Sequence, residues 1–129
     1  MAEIKWQFQA AVAGGPSLSF NQPVITVDAY DVVQVKLPDG ASGTAVSIQP
    51  SSSASQMALV VISSDQYGAK LTYKVDSLGT TNKLDGPHIF VGPGAVAFLN
   101  PGQAPNSLTF SNSLGKTANV SVLVGRTVS

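Results

Sequence analysis

The chain has no cysteine. No disulfide and no thiolate-held metal can contribute to its fold. Charge is scarce as well. Asp, Glu, Lys and Arg make up 11% of the residues, against roughly 25% in ordinary soluble proteins. The seven basic residues cancel the seven acidic ones. Such a chain projects no long-range field, which argues against nucleic acid and anionic membrane as partners. It also does little to repel its own copies. Apolar runs such as Ala58–Ile62 and Ala95–Leu99 fall far short of the roughly 20 residues that span a bilayer. The first residues, MAEIKWQFQ, lack the basic and apolar regions of a secretory signal. The expected place is the cytoplasm or a particle assembled there. No window holds an apolar period of 3.6, and glycine and proline recur too often for long helices.

What remains is a period of two. Ile4, Trp6, Phe8, Ala10 and Val12 alternate with Lys5, Gln7, Gln9 and Ala11, which predicts a strand with one buried face. Trp6 and Phe8 share that face and are expected to look into the core. Leu18 and Phe20 mark a second short strand. Val24–Val27 and Val32–Leu37 are rich in β-branched residues, separated by residues 28–31. Pro38-Asp39-Gly40 is a turn. Thr44–Gln49, Met57–Ser63, Leu71–Val75, Leu108–Phe110 and Val120–Val124 read as further strands. The segments 50–56, 78–85 and 102–106 read as loops. The centre of the pattern is Gly86–Pro101. There His88–Val91 and Ala95–Leu99 are predicted to form a hairpin across Gly92-Pro93-Gly94, with Phe98 in the core.

About ten short antiparallel strands without long helices imply one all-β domain over residues 1–129, a β-sandwich or jelly-roll-like fold. The length suffices for a core without staples.

The residue types that carry chemistry are few. His88 is the sole histidine, and the sequence gives it no partner for a catalytic dyad or a metal site. It reads as a partly buried side chain bonded to backbone. An enzyme built on it would require a carboxylate within hydrogen-bond reach. Asp28, Asp31, Asp65, Asp76 and Asp85 lie in or beside turns but form no calcium-loop motif. Turn bonding explains them. No metal and no cofactor is implied. Asn119-Val120-Ser121 matches a glycosylation sequon but falls inside a strand. Tyr30 and Tyr67 sit at turns and, with Trp6 and His88, are the candidate ligand contacts.

The composition points to a non-enzymatic structural subunit that associates with its own copies as a dimer or trimer, for instance a virion or particle component. Met57–Ser63 and Val120–Val124 carry no charge, and either would need covering at a sheet edge. The alternative is a carbohydrate-binding module or lectin-like sandwich using Tyr30, Tyr67 or Trp6.

Overall fold

The structure is a computed structural model that describes residues 2–21, 24–48, 57–76, 78–100 and 105–127. The elements in order are β1 (Ala2–Ile4), β2 (Gln7–Ala11), β3 (Ser17–Asn21), β4 (Ile25–Val27), β5 (Ala29–Leu37) and β6 (Thr44–Ser47). Then come β7 (Met57–Ser64), β8 (Leu71–Val75), β9 (Asn82–Lys83), β10 (His88–Val91), α1 (Pro93–Val96), β11 (Ser107–Asn112) and β12 (Ala118–Arg126). One four-stranded sheet has the order β10-β7-β12-β5 and a second has the order β6-β11-β8-β9. Two-stranded pairs β1-β4 and β2-β3 complete the set. All strand pairings among the described residues are antiparallel.

Alternation explains how the two larger sheets meet. On β12, Val120, Val122 and Val124 are fully buried, while Ser121 and Leu123 point to the other face. On β8, Leu71, Tyr73 and Val75 are buried and Thr72 and Lys74 are not. These inward residues share one apolar cluster with Val60, Ile62, Leu108 and Phe110, so the two sheets form a sandwich around a common core. Burial of each such valine contributes about 1.5–3 kcal/mol. Asn112 and Asn100 are the buried polar residues among those described, and Asn112 lies between the sheets. Its amide donates to Leu37 O at 2.9 Å and Lys116 O at 2.8 Å, and its carbonyl accepts from Leu114 N–H at 3.0 Å. With all these bonds made, the side chain joins the two sheets without a desolvation penalty.

Several expectations are corrected. The Gly86–Pro101 hairpin does not form. His88–Val91 is a strand, but it pairs with β7, from His88↔Ile62 to Val91↔Leu59. Residues 93–96 form a single helical turn. Gly92 enters it at φ +91°, and Pro93 supplies a helix-ready φ at the first position. Val96 and Leu99, three apart, are buried, whereas Phe98 is 81% exposed and outside the core. A short apolar run cannot by periodicity be told from one side of a helical turn. The β7 and β12 strands are not edges: β12 pairs with both β5 and β7, and β7 also with β10. The edges of that sheet are β10 and β5. Strand β5 begins at Ala29, so the break before it is shorter than residues 28–31. The 78–85 loop contains β9, whose Lys83 and Asn82 pair with Thr72 and Tyr73. The predicted loop at 50–56 lies outside the described residues, as do residues 101–104 of the segment after α1.

Candidate functional site

The face of the larger sheet that turns away from the core is where the apolar surface lies. Val32, Leu123, Val61 and Ile89 are successive cross-strand partners on β5, β12, β7 and β10. They form one apolar row across the whole sheet. Val32 and Ile89 are 55% and 54% exposed. In the next row Gly125 sits between Tyr30 and Leu59. A Cβ at Gly125 would come within 2.9 Å of Ile4 Cδ1 and 3.2 Å of Val27 Cγ1. The missing side chain therefore lets the β1–β4 pair rest on the sheet at this point. Beside it opens a groove of about 660 Å³, lined by Trp6, Phe8, Val61, Ile89, Val91 and Leu123 among others.

This places the candidate side chains. The strand expected to hold both Trp6 and Phe8 is broken at Lys5–Trp6, between β1 and β2, and both side chains line the groove rather than the core. Trp6 is half-buried and Phe8 is 44% exposed. The Trp6 Nε1 is closed off from solvent without a hydrogen-bond partner among the described residues. Tyr30 stands exposed on the β5 edge of the same sheet. Tyr67 follows β7, and its hydroxyl accepts the Ser64 N–H at 3.0 Å, which folds the ring back on its own turn. The register sets Tyr30 level with Leu59 through Gly125. Ser64 lies five residues farther along β7, about 17 Å at strand rise. Tyr30 and Tyr67 thus do not share the stacking platform a sugar site requires.

Among the described residues the His88 side chain bonds to neither backbone nor carboxylate. Its Nδ1 lies 2.7 Å from the Tyr73 hydroxyl, across the sandwich from β10 to β8. The two rings meet edge-on at 5.6 Å, and Phe110 and Phe90 flank the pair. Burial pushes the Tyr73 phenol up to about 12, so the hydroxyl keeps its proton, and the direction of the bond follows the His88 tautomer. The bond works as a polar tie between the sheets. The sequence held no sign of it, because the two residues lie on strands of different sheets.

The aspartates are committed to separate tasks. Asp31 Oδ2 is 2.6 Å from Arg126 Nη2 at the sheet margin. The approach is poorly aligned, since neither Asp31 Oδ2 nor Arg126 Nη1 makes a hydrogen bond among the described residues. The Arg126 side chain is 18% exposed and that of Asp31 36%, so the pair is partly buried. Asp76 binds backbone and Asn100, and Asp39 accepts from Gly115 N–H. Among the described residues no three His, Cys, Asp or Glu side chains converge as a metal site would require. No described helix is long and apolar enough to cross a membrane.

Asp65 clamps the end of β7 to β12. Its carboxylate accepts Asn119 N–H at 2.8 Å and the Asn119 amide at 2.7 Å. The sequon asparagine is thus a strand residue with its side chain engaged. These two bonds, backbone first, hold the Asp65 carboxyl below its ordinary 3.8. A carboxyl lowered in the folded state contributes stability above its unfolded pKa and loses it as pH falls through the folded one. Asp65→Ala is therefore expected to lower the denaturation midpoint at neutral pH. The gap from the parent protein should close as a series of melts descends to about pH 2. A gap that stays constant across the series would refute the clamp.

No known protein family, curated protein or solved structure matches the chain.

Proposed function

We propose that the protein is a non-enzymatic assembly subunit that associates with its own copies through the outer face of the β10-β7-β12-β5 sheet. The apolar row Val32–Leu123–Val61–Ile89 carries this reading. A sheet face that stays in water presents alternating polar side chains, and this one presents apolar residues on all four strands. With equal numbers of acidic and basic residues, nothing opposes the approach of a second copy. A closed homo-oligomer, alone or as the unit of a larger particle, is the natural product.

Light scattering after size-exclusion chromatography tests this. The expected result is a mass that is a whole multiple of the chain at micromolar concentration. It should be the same at low and high salt, because apolar contacts are not screened. A stable interface should remove about 800 Å² from each partner. A monomer mass up to the hundred-micromolar range overturns the proposal.

A further inference from the structure

From Gln7 to Ser19 the β2–β3 hairpin takes no part in the core. Every residue from Gln7 to Ser19 is exposed, and none belongs to the apolar cluster. Its regular geometry is complete nonetheless. Five cross-strand pairs run from Gln7↔Asn21 to Ala11↔Ser17. The loop is closed by Val12 N–H to Pro16 O at 3.0 Å and Gly15 N–H to Val12 O at 2.8 Å. A two-stranded hairpin alone in water is marginally stable at best. Its surface is also wrong for water. Val12 is 63% exposed and Leu18 54%, and from Trp6 to Val27 the sequence has no charged residue. Proteins that keep a strand pair in solvent protect it with charge, lysine above all.

The groove at the root of this hairpin has the same chemistry. Lys5 is the one charged residue in its lining. Gln7 and Phe8 line it, whereas Ala10, Val12 and Leu18 do not. The hairpin therefore leaves the groove and carries its apolar tip away, about 17 Å along five strand residues. One chain thus holds two exposed, mainly apolar surfaces that it does not bring together, with Lys5 at the groove the one charge between them. A basic partner has no carboxylate to bind on either, and an acidic one would find only Lys5. A second copy of the chain supplies the matching surface for both.

We propose that the β2–β3 hairpin of one copy docks in the outer-face groove of a second copy, and that the exchange is reciprocal. This rests on the self-association proposed above and specifies its contacts. One hairpin face is small beside the ~800 Å² per partner of a standard interface. Reciprocal exchange buries a hairpin and a groove on each copy and so doubles the area, and a two-fold axis generates it.

Oligomeric mass and the fluorescence of Trp6 test the proposal together. Trp6 is the sole tryptophan and lines the groove, so its emission reports on occupancy. Leu18→Asp alters the hairpin, and Ile89→Lys alters the groove. Both positions are more than half exposed, so circular dichroism and melting of the separated monomers should match each other. The expected result is that each variant alone has half the parent mass and that the dilution-dependent shift of Trp6 emission disappears. Mixing the two variants should restore a dimer, because one intact hairpin meets one intact groove and, in the reciprocal contact, the new carboxylate at position 18 faces the new ammonium at position 89. Val12→Asp gives a second hairpin variant should Leu18→Asp fail to fold. A monomeric parent protein overturns both proposals. An oligomeric parent whose Leu18→Asp and Val12→Asp variants remain oligomeric overturns hairpin exchange alone. Failure of the mixed variants to associate does so too.

Discussion

Phe110→Ala is expected to cost about 3–5 kcal/mol of folding stability, while the same truncation at Phe98 stays within about 0.5 kcal/mol. The residue types are identical, and their settings are not. Phe110 is fully buried on β11, cross-strand partner of Tyr73, with ring centroids 5.8 Å apart. Its removal leaves a void in the middle of the sandwich, at the tie between Tyr73 and His88. The surrounding strands are held by two ladders and can collapse only a little, so transfer and cavity terms add. Phe98 leaves α1 pointing outward at 81% exposure. Against a total of about 5–15 kcal/mol for a domain, the first change removes a large share. Urea denaturation measures both, with the midpoint moving and the slope unchanged. Equal effects of the two truncations would contradict the packing described.

Asp76→Ala is expected to cost about 3 kcal/mol or more, for a different reason. Asp76 is the non-glycine residue with positive φ among those described, at +48°. Its Oδ1 accepts Asn106 N–H at 2.9 Å and Ser107 N–H at 2.8 Å, and its Oδ2 accepts the Asn100 amide at 2.6 Å. One carboxylate thus anchors the start of β11 and the chain leaving α1. Hydrogen bonds to a charged group contribute about 1.5–3 kcal/mol each and are not additive. Alanine removes all of these acceptors and leaves Asn100, 6% exposed, with a buried donor unpaired. It also tolerates the left-handed backbone less well than aspartate. Asp76→Gly relieves the backbone alone, and Asp76→Asn retains one acceptor together with that tolerance. The expected order of denaturation midpoints is parent, then Asn, then Gly, then Ala. A loss below about 1 kcal/mol in the alanine variant would show the carboxylate to be dispensable.

Much of the strand content was legible because alternation has a physical cause. In β8 and β12 every second residue faces the core, and the sequence shows it directly as Leu71-Tyr73-Val75 and Val120-Val122-Val124. The failures have causes too. Alternation shows which residues share a face, not what the face meets. The spacing of Trp6 and Phe8 shows neither the break in the strand at Trp6 nor that both side chains line the groove instead of the core. Ala95–Leu99 has no polar residue to reveal its period, and Gly92 and Pro93 carry the helical signal instead. Strand order is nonlocal, so no feature of Met57–Ser64 or Ala118–Arg126 shows that they lie inside the sheet. The Tyr73–His88 bond and the groove arise only when distant strands are brought side by side.

The position of β12 has a consequence in time. It is the last strand in chain order, yet it lies between β5 and β7 and is bonded to both. Until it arrives, β5 lacks its partner in this sheet and β7 has only β10, so the sheet cannot nucleate from its N-terminal half. Closing so long a loop before any pairing rewards it places such a chain among slow folders, on the scale of milliseconds to seconds. During that interval the apolar strands Ala29–Leu37 and Met57–Ser64 are open to neighbouring chains. Crowding during refolding therefore favours tangled chains over native subunits, and dilution is the condition under which the sandwich should be recovered in good yield.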